Sequence, residues 1–134
     1  MMPVYRDIEV WRGNALPHVI WDWPQGYAAS VYCTLAVWVG TTLLLTATSG
    51  GALVIDPPRR RTLWMRTSAD SRMIPLGRIA RYEIEDRAGG ERTIWAGTVI
   101  GLGGLNLDDD RPAAIGQLDY ANPDNSAMLL MRWI

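Results

Sequence analysis

Ser30-Val31-Tyr32-Cys33-Thr34-Leu35-Ala36-Val37-Trp38-Val39 is the stretch whose reading decides the fold. Val31, Cys33, Leu35, Val37 and Val39 fall on one side of a period-two pattern. Ser30, Tyr32, Thr34, Ala36 and Trp38 fall on the other. That spacing is the signature of a β-strand with one buried face. The strand lies inside a longer stretch, between Asp22 and Asp56, that carries no charged residue. A membrane helix would need ~20 predominantly apolar residues. Residues 31–47 instead contain Thr34, Gly40, Thr41, Thr42 and Thr46 and are rich in β-branched side chains, so no membrane span is expected.

Neighbouring segments repeat the pattern. Residues 7–12 read as a first strand, closed by Gly13-Asn14, and residues 16–23 as a second, ended by Pro24-Gln25-Gly26. Gly40-Thr41 is a two-residue hairpin turn with glycine first, and residues 42–48 form the returning strand with Leu43, Leu45 and Ala47 on one face. Ser49-Gly50-Gly51 turns the chain into a short strand at 52–55. Asp56-Pro57-Pro58 breaks the ladder, because proline cannot donate to it. Arg59, Arg60 and Arg61 read as a solvated basic patch, followed by a further short strand at 62–66. Thr67-Ser68-Ala69-Asp70 matches a helix-start pattern, allowing one helical turn before Pro75. Residues 78–85 are the next strand, with Ala80, Tyr82 and Ile84 on one face and Arg81, Glu83 and Glu85 on the other. A loop at 87–91 leads to the returning strand at 92–100. The expected buried set is Val31, Cys33, Leu35, Val37, Leu43, Leu45, Tyr82 and Ile84.

The chain has 134 residues, 49% hydrophobic and 20% charged, which suits one globular domain with a real core. Its net charge of -1 lacks the basic surplus of a nucleic-acid binder. All its basic residues are Arg, and Phe is absent while Trp reaches 7. Some tryptophans must therefore fill aromatic core positions; Trp38, opposite the apolar strand face, marks a protein interface. The single cysteine, Cys33, lies on the apolar face and reads as a buried small hydrophobe. One Cys and one His cannot build a structural zinc site. The first eleven residues hold Arg6, Asp7 and Glu9 and have no apolar core, so they are not a signal peptide.

Candidate chemistry is sparse. Glu83 and Glu85 share a strand face, as a glycosidase pair would, but Arg81 and Arg87 share it too, which reads as a salt-bridged outer surface. Asn106, Asp108, Asp109 and Asp110 lack the spacing of a calcium loop and read as an acidic turn. His18 has no nucleophile signature beside it and reads as structural. No phosphate-binding glycine loop is present; Gly101-Leu102-Gly103-Gly104 is too short. Neither catalytic residues, cofactor nor metal are expected.

After Ile100 periodicity fades. We expect residues 1–100 to be the domain and 101–134 an extended C-terminal arm interrupted by Pro112 and Pro123. Its apolar end, Met128, Leu129, Leu130, Met131, Trp133 and Ile134, suits docking on a neighbour's sheet edge. These six residues and Trp38 are the candidate interface.

The order of segments resembles a phage virion module. Trp11-Arg12-Gly13-Asn14 is similar to the Arg-Gly-Asp/Asn start of many phage tail and fibre-associated β-sandwich domains. Residues 50–56 follow as a Gly-Gly-Ala-Leu-Val-Ile-Asp element. Residues 74–85 are similar to the family's leucine–x–x–Gly–x–Tyr–x–x–Glu/Asp strand, and residues 95–99 to its closing leucine–x–x–Gly–x–Val strand. The likeness covers residues 8–104. It implies an all-β, immunoglobulin-like antiparallel β-sandwich with at most one short helical turn and an extended C-terminal arm. It further implies a non-enzymatic structural protein of the virion, a baseplate, tail-tip or fibre-base adaptor made in the bacterial host cytoplasm. Partners would be other tail or virion proteins and further copies of the chain, not nucleic acid or membrane. Many relatives continue into a fibre, and the short arm here suits an adaptor instead. The alternatives are a carbohydrate-binding host-recognition module, for which exposed tryptophans would speak, and a capsid decoration protein; a cell-wall hydrolase is disfavoured.

Overall fold

A computed structural model describes residues 2–103; of the arm expected at 101–134, residues 101–103 instead continue a strand of the sheet, and residues 104–134, with the candidate interface residues Met128, Leu129, Leu130, Met131, Trp133 and Ile134 and the Asn106–Asp110 turn, lie outside the described residues. The fold is an all-β sandwich of two sheets. The larger sheet holds β1 (Val4–Tyr5), β2 (Ile8–Arg12), β4 (Cys33–Val39), β5 (Thr42–Thr48), β8 (Gly77–Asp86) and β9 (Arg92–Gly103). The smaller holds β3 (Val19–Asp22), β6 (Leu53–Asp56) and β7 (Arg61–Trp64). Pro57–Arg59 forms a single 3₁₀ turn, and α1 (Ser68–Arg72) is the one short α-helical turn among the described residues.

Across the larger sheet the order is β1/β2, β9, β8, β4, β5, and across the smaller β3, β7, β6. The strand pairings are antiparallel except for the two made by β1 and β2. Both β1 and β2 run parallel to β9 in a single register, Val4 beside Trp95 and Ile8 beside Val99. They are one strand interrupted at Arg6 and Asp7, where the Arg6 N–H still donates to the Ala96 carbonyl at 2.8 Å. Gly97 makes this crossing possible: a Cβ there would run into the Arg6 carbonyl. Period-two alternation announces a strand but not its partner, so the parallel pairing is a departure from the expected antiparallel sandwich.

The core lies between the sheets. Trp21 and Trp64 from the smaller sheet meet Leu35, Val37, Tyr82, Ile84, Trp95 and Val99 from the larger, all essentially without solvent contact. In a chain without Phe, tryptophan fills the aromatic positions. Trp21 packs at 5.6 Å from Tyr82 and 6.2 Å from Trp95, and Tyr27 stands edge-on to Trp95 at 5.8 Å. The polar tips are satisfied in series: Trp21 Nε1 donates to Tyr82 Oη at 3.0 Å, and Tyr82 Oη donates to the Arg6 carbonyl at 2.6 Å. That chain ties both sheets to the strand interruption. Burying one such ring is worth ~1.5–3 kcal/mol.

Two members of the expected core are corrected. Val31 is 68% exposed, because β4 starts only at Cys33 and residue 31 lies in the preceding loop. Leu43 is 46% exposed because β5 carries a β-bulge. Leu35 pairs with Ala47 and Val37 with Leu45 on the inner face, but Trp38 then pairs with Leu43 on the outer face, leaving Leu44 as the extra residue. One inserted residue reverses the facing of everything beyond it. Leu44 and Leu45 are both half-buried against the core.

The helical turn forms where Thr67 predicts it. The Thr67 side chain accepts from the Asp70 N–H at 3.0 Å, a proper N-cap. Its C-terminal end is held by Arg12. The buried Arg12 guanidinium donates to the carbonyls of Ile74 at 2.8 Å and Arg72 at 2.9 Å, and the Gly13 N–H donates to Ser71 Oγ at 2.8 Å. A cation at carbonyls that end a helix is favourably placed. The Trp11-Arg12-Gly13-Asn14 segment is thus a structural lock between β2 and α1.

Candidate functional site: the outer face of the larger sheet

Trp38 stands on the solvent face of the larger sheet, 40% exposed. The registers assemble that face into cross-strand rows. One row reads Leu43, Trp38, Arg81, Thr98 across β5, β4, β8 and β9. The next reads Thr46, Ala36, Glu83, Ala96 and ends on Tyr5 of β1. A third, Thr48, Thr34, Glu85, Thr93, is polar throughout. Directly opposed side chains in such rows are within contact distance, so the bulge at Leu44 sets Leu43 beside Trp38 and creates an outward apolar pair.

Tyr5, 74% exposed, and Trp38 flank a shallow groove of about 440 Å³ whose floor and rim include Arg81, Glu83, Thr93 and Ala96. The expected salt-bridged surface is present only in part. Glu85 pairs with Arg87 at 3.2 Å, and Arg87 reaches Glu91 at 3.9 Å. Glu83 accepts from Thr93 Oγ1 at 3.1 Å. Among the described residues Arg81 and Glu83 make no ion pair with each other or with any other side chain. The groove therefore presents one cation and one anion, both open to solvent, between two aromatic walls.

The other candidates sit elsewhere. His18 is half-buried just before β3 of the smaller sheet and lines a different cleft from Trp38 and Glu83, one shared with Asp7 and Arg78. The Cys33 thiol is buried, and burial pushes its pKa up. Asp86 is the centre of a closed polar cluster. Its carboxylate accepts from Tyr27 Oη at 2.8 Å, Ser30 Oγ at 2.6 Å, the Ser30 N–H at 3.2 Å and the Ala88 N–H at 3.0 Å. Burial alone would raise its pKa, but these hydrogen bonds outweigh it and the net direction is down. Tyr27 is pushed up by burial and by its bond to Asp86. The cluster fastens the loop after β3 to the β8–β9 hairpin and is spent on structure. Among the described residues, no group of three or more His, Cys, Asp or Glu side chains converges as a metal site would require, and no helix is long and apolar enough to cross a membrane.

Alternation puts Trp38 on the outer side of β4, where the structure has it, but gives no sign that Leu43 and Tyr5 share that face. Tyr5 precedes the first strand expected from alternation, and its strand exists only through pairing with β9. Alternation groups Leu43 with the core, because a bulge leaves no mark in the pattern of one strand. No protein-family model matches the chain, and no curated protein matches it.

Proposed function

We propose that this chain is a non-enzymatic structural protein of a phage virion, an adaptor at the baseplate, tail tip or fibre base, and that the outer face around Trp38 is a contact through which it joins neighbours. The observation that carries the reading is the outward Trp38–Leu43 pair beside Tyr5. Large apolar side chains placed together on a solvent face, ringed by polar residues, are the composition of an interface core. The fold gives indirect support. Placing β3, β7 and β6 on one sheet and β4, β8 and β9 on the other is how immunoglobulin-type sandwiches divide their strands. That agrees with the immunoglobulin-like architecture which the resemblance implies.

The test is complementation in the phage that carries the gene. Particles purified with the wild-type chain should contain it, by mass spectrometry. Trp38→Asp, on an exposed site, should yield folded protein that is missing from particles, with tails unjoined in electron micrographs. Intact virions lacking the wild-type chain altogether would overturn the proposal.

One observation favours a second reading. Two aromatic walls around an Arg and a Glu also suit a neutral glycan, which stacks on rings and hydrogen-bonds to both charged groups. Binding on a glycan array that Tyr5→Ala and Trp38→Ala abolish would favour host recognition over assembly.

A further inference from the structure

We infer that the outer face of the larger sheet is the contact between two copies of this chain, related by a two-fold axis that crosses β8 between Arg81 and Glu83. The inference rests on the assembly reading of this face and names its partner.

The charges select both the partner and the axis. Arg81 and Glu83 lie two residues apart on the outer side of β8, and neither has an ion-pair partner among the described residues. In an isologous contact, residue i meets residue j and residue j meets residue i. A two-fold axis lying between facing sheets and perpendicular to β8 reverses the strand direction. Arg81 then stands over the partner's Glu83, and Glu83 over the partner's Arg81. An axis along β8 would instead put Arg81 over the partner's Arg81, which is repulsive. Facing sheets pack ~10 Å apart, a gap that an Arg and a Glu close from opposite sides.

Shape follows the same operation. The rotation lays the row Leu43, Trp38, Arg81, Thr98 upon the row Thr46, Ala36, Glu83, Ala96. The largest side chain of the face, Trp38, thereby falls on the smallest kind, the partner's Ala36. Thr98 falls on the partner's Ala96 in the same way. Large against small is the arrangement that lets two surfaces interdigitate without voids. Size is also adequate. Five strands ~4.8 Å apart and seven residues at ~3.3 Å each give a flat projection of roughly 550 Å². A side-chain surface exceeds its projection, which brings it near the ~800 Å² per partner of a standard interface.

The test is sedimentation velocity on the full chain across a concentration series, with far-ultraviolet circular dichroism to confirm that each variant is folded. The wild type should dimerise. Arg81→Glu alone and Glu83→Arg alone should each weaken dimerisation by roughly tenfold or more, since each sets like charges against each other. The double variant, carrying both reversals, should return to near wild-type affinity, because exchanging the charges preserves their complementarity. Trp38→Ala should weaken the dimer without charge rescue. A wild type that stays monomeric at every concentration overturns the inference, as do single variants that dimerise normally or a double variant that does not recover. Incorporation into particles by a chain that is monomeric in solution would sink the dimer while leaving the adaptor role standing.

Discussion

Asp86 shows how much one side chain can hold. Four donors converge on its carboxylate, from Tyr27, Ser30 and the backbone of Ala88. Asp86→Asn replaces one acceptor oxygen by a donor and leaves buried groups unpaired. We expect it to cost roughly 2–3 kcal/mol at neutral pH, the scale of bonds to a buried charge. The folded-state pKa is depressed, so the charge stabilises the fold above the unfolded value of ~3.9 and the benefit disappears as pH falls through the folded value. In urea unfolding, the wild-type advantage over the variant should therefore hold at pH 7 and shrink below pH ~4; an equal gap at both would show that the ionised carboxylate is not its source. Residues of this sort were poorly legible in the sequence. Asp86 falls there between a strand and a loop with no role, and Arg12 is one letter of a family likeness. Apart from Ala88, their partners lie some sixty positions away in the chain, and only the folded structure pairs them.

At the scale of elements, the sequence was far more informative. Glycine and proline mark most turns, and the glycine-first turn at Gly40 sits where the two-residue loop between Val39 and Thr42 requires it, with a φ of 58°. The Thr67 cap was visible because capping is local chemistry. The bulge in β5 was not, since alternation within one strand cannot reveal that its neighbour has one residue fewer. Its effect separates two leucines that look alike in sequence. Leu35→Ala should destabilise by ~2–5 kcal/mol, because Leu35 is fully buried. Leu43→Lys should change monomer stability by less than ~0.5 kcal/mol, as surface substitutions do. Chemical denaturation of both variants checks the assignment, and comparable losses would place Leu43 back in the core. The same bulge supplies half of the apolar pair on the candidate face, so the part of the site missed in the sequence and the error in the core have one cause.

For the molecule as a whole, the sandwich class was legible and its closure was not. The N-terminal strand contributes Ile8 and Val10 to the core, Arg12 to the lock on α1, and the parallel ladder along β9. Removing residues 2–12 should therefore abolish cooperative unfolding rather than trim an edge. Calorimetry and near-ultraviolet circular dichroism are the measurements; a sharp transition with native tryptophan signals in the shortened chain would refute this.

The interrupted strand joins residues 91 positions apart, as in Val4 with Trp95 and Ile8 with Val99. During synthesis this strand leaves the ribosome 91 residues ahead of its partner in β9. At ~5–20 residues per second, roughly 5–20 s pass between the two. During that interval Ile8 and Val10, which end in the core, have no partner strand beside them, and the sandwich is sealed only when β9 arrives. Translation rate across the β8–β9 hairpin thus becomes a determinant of yield.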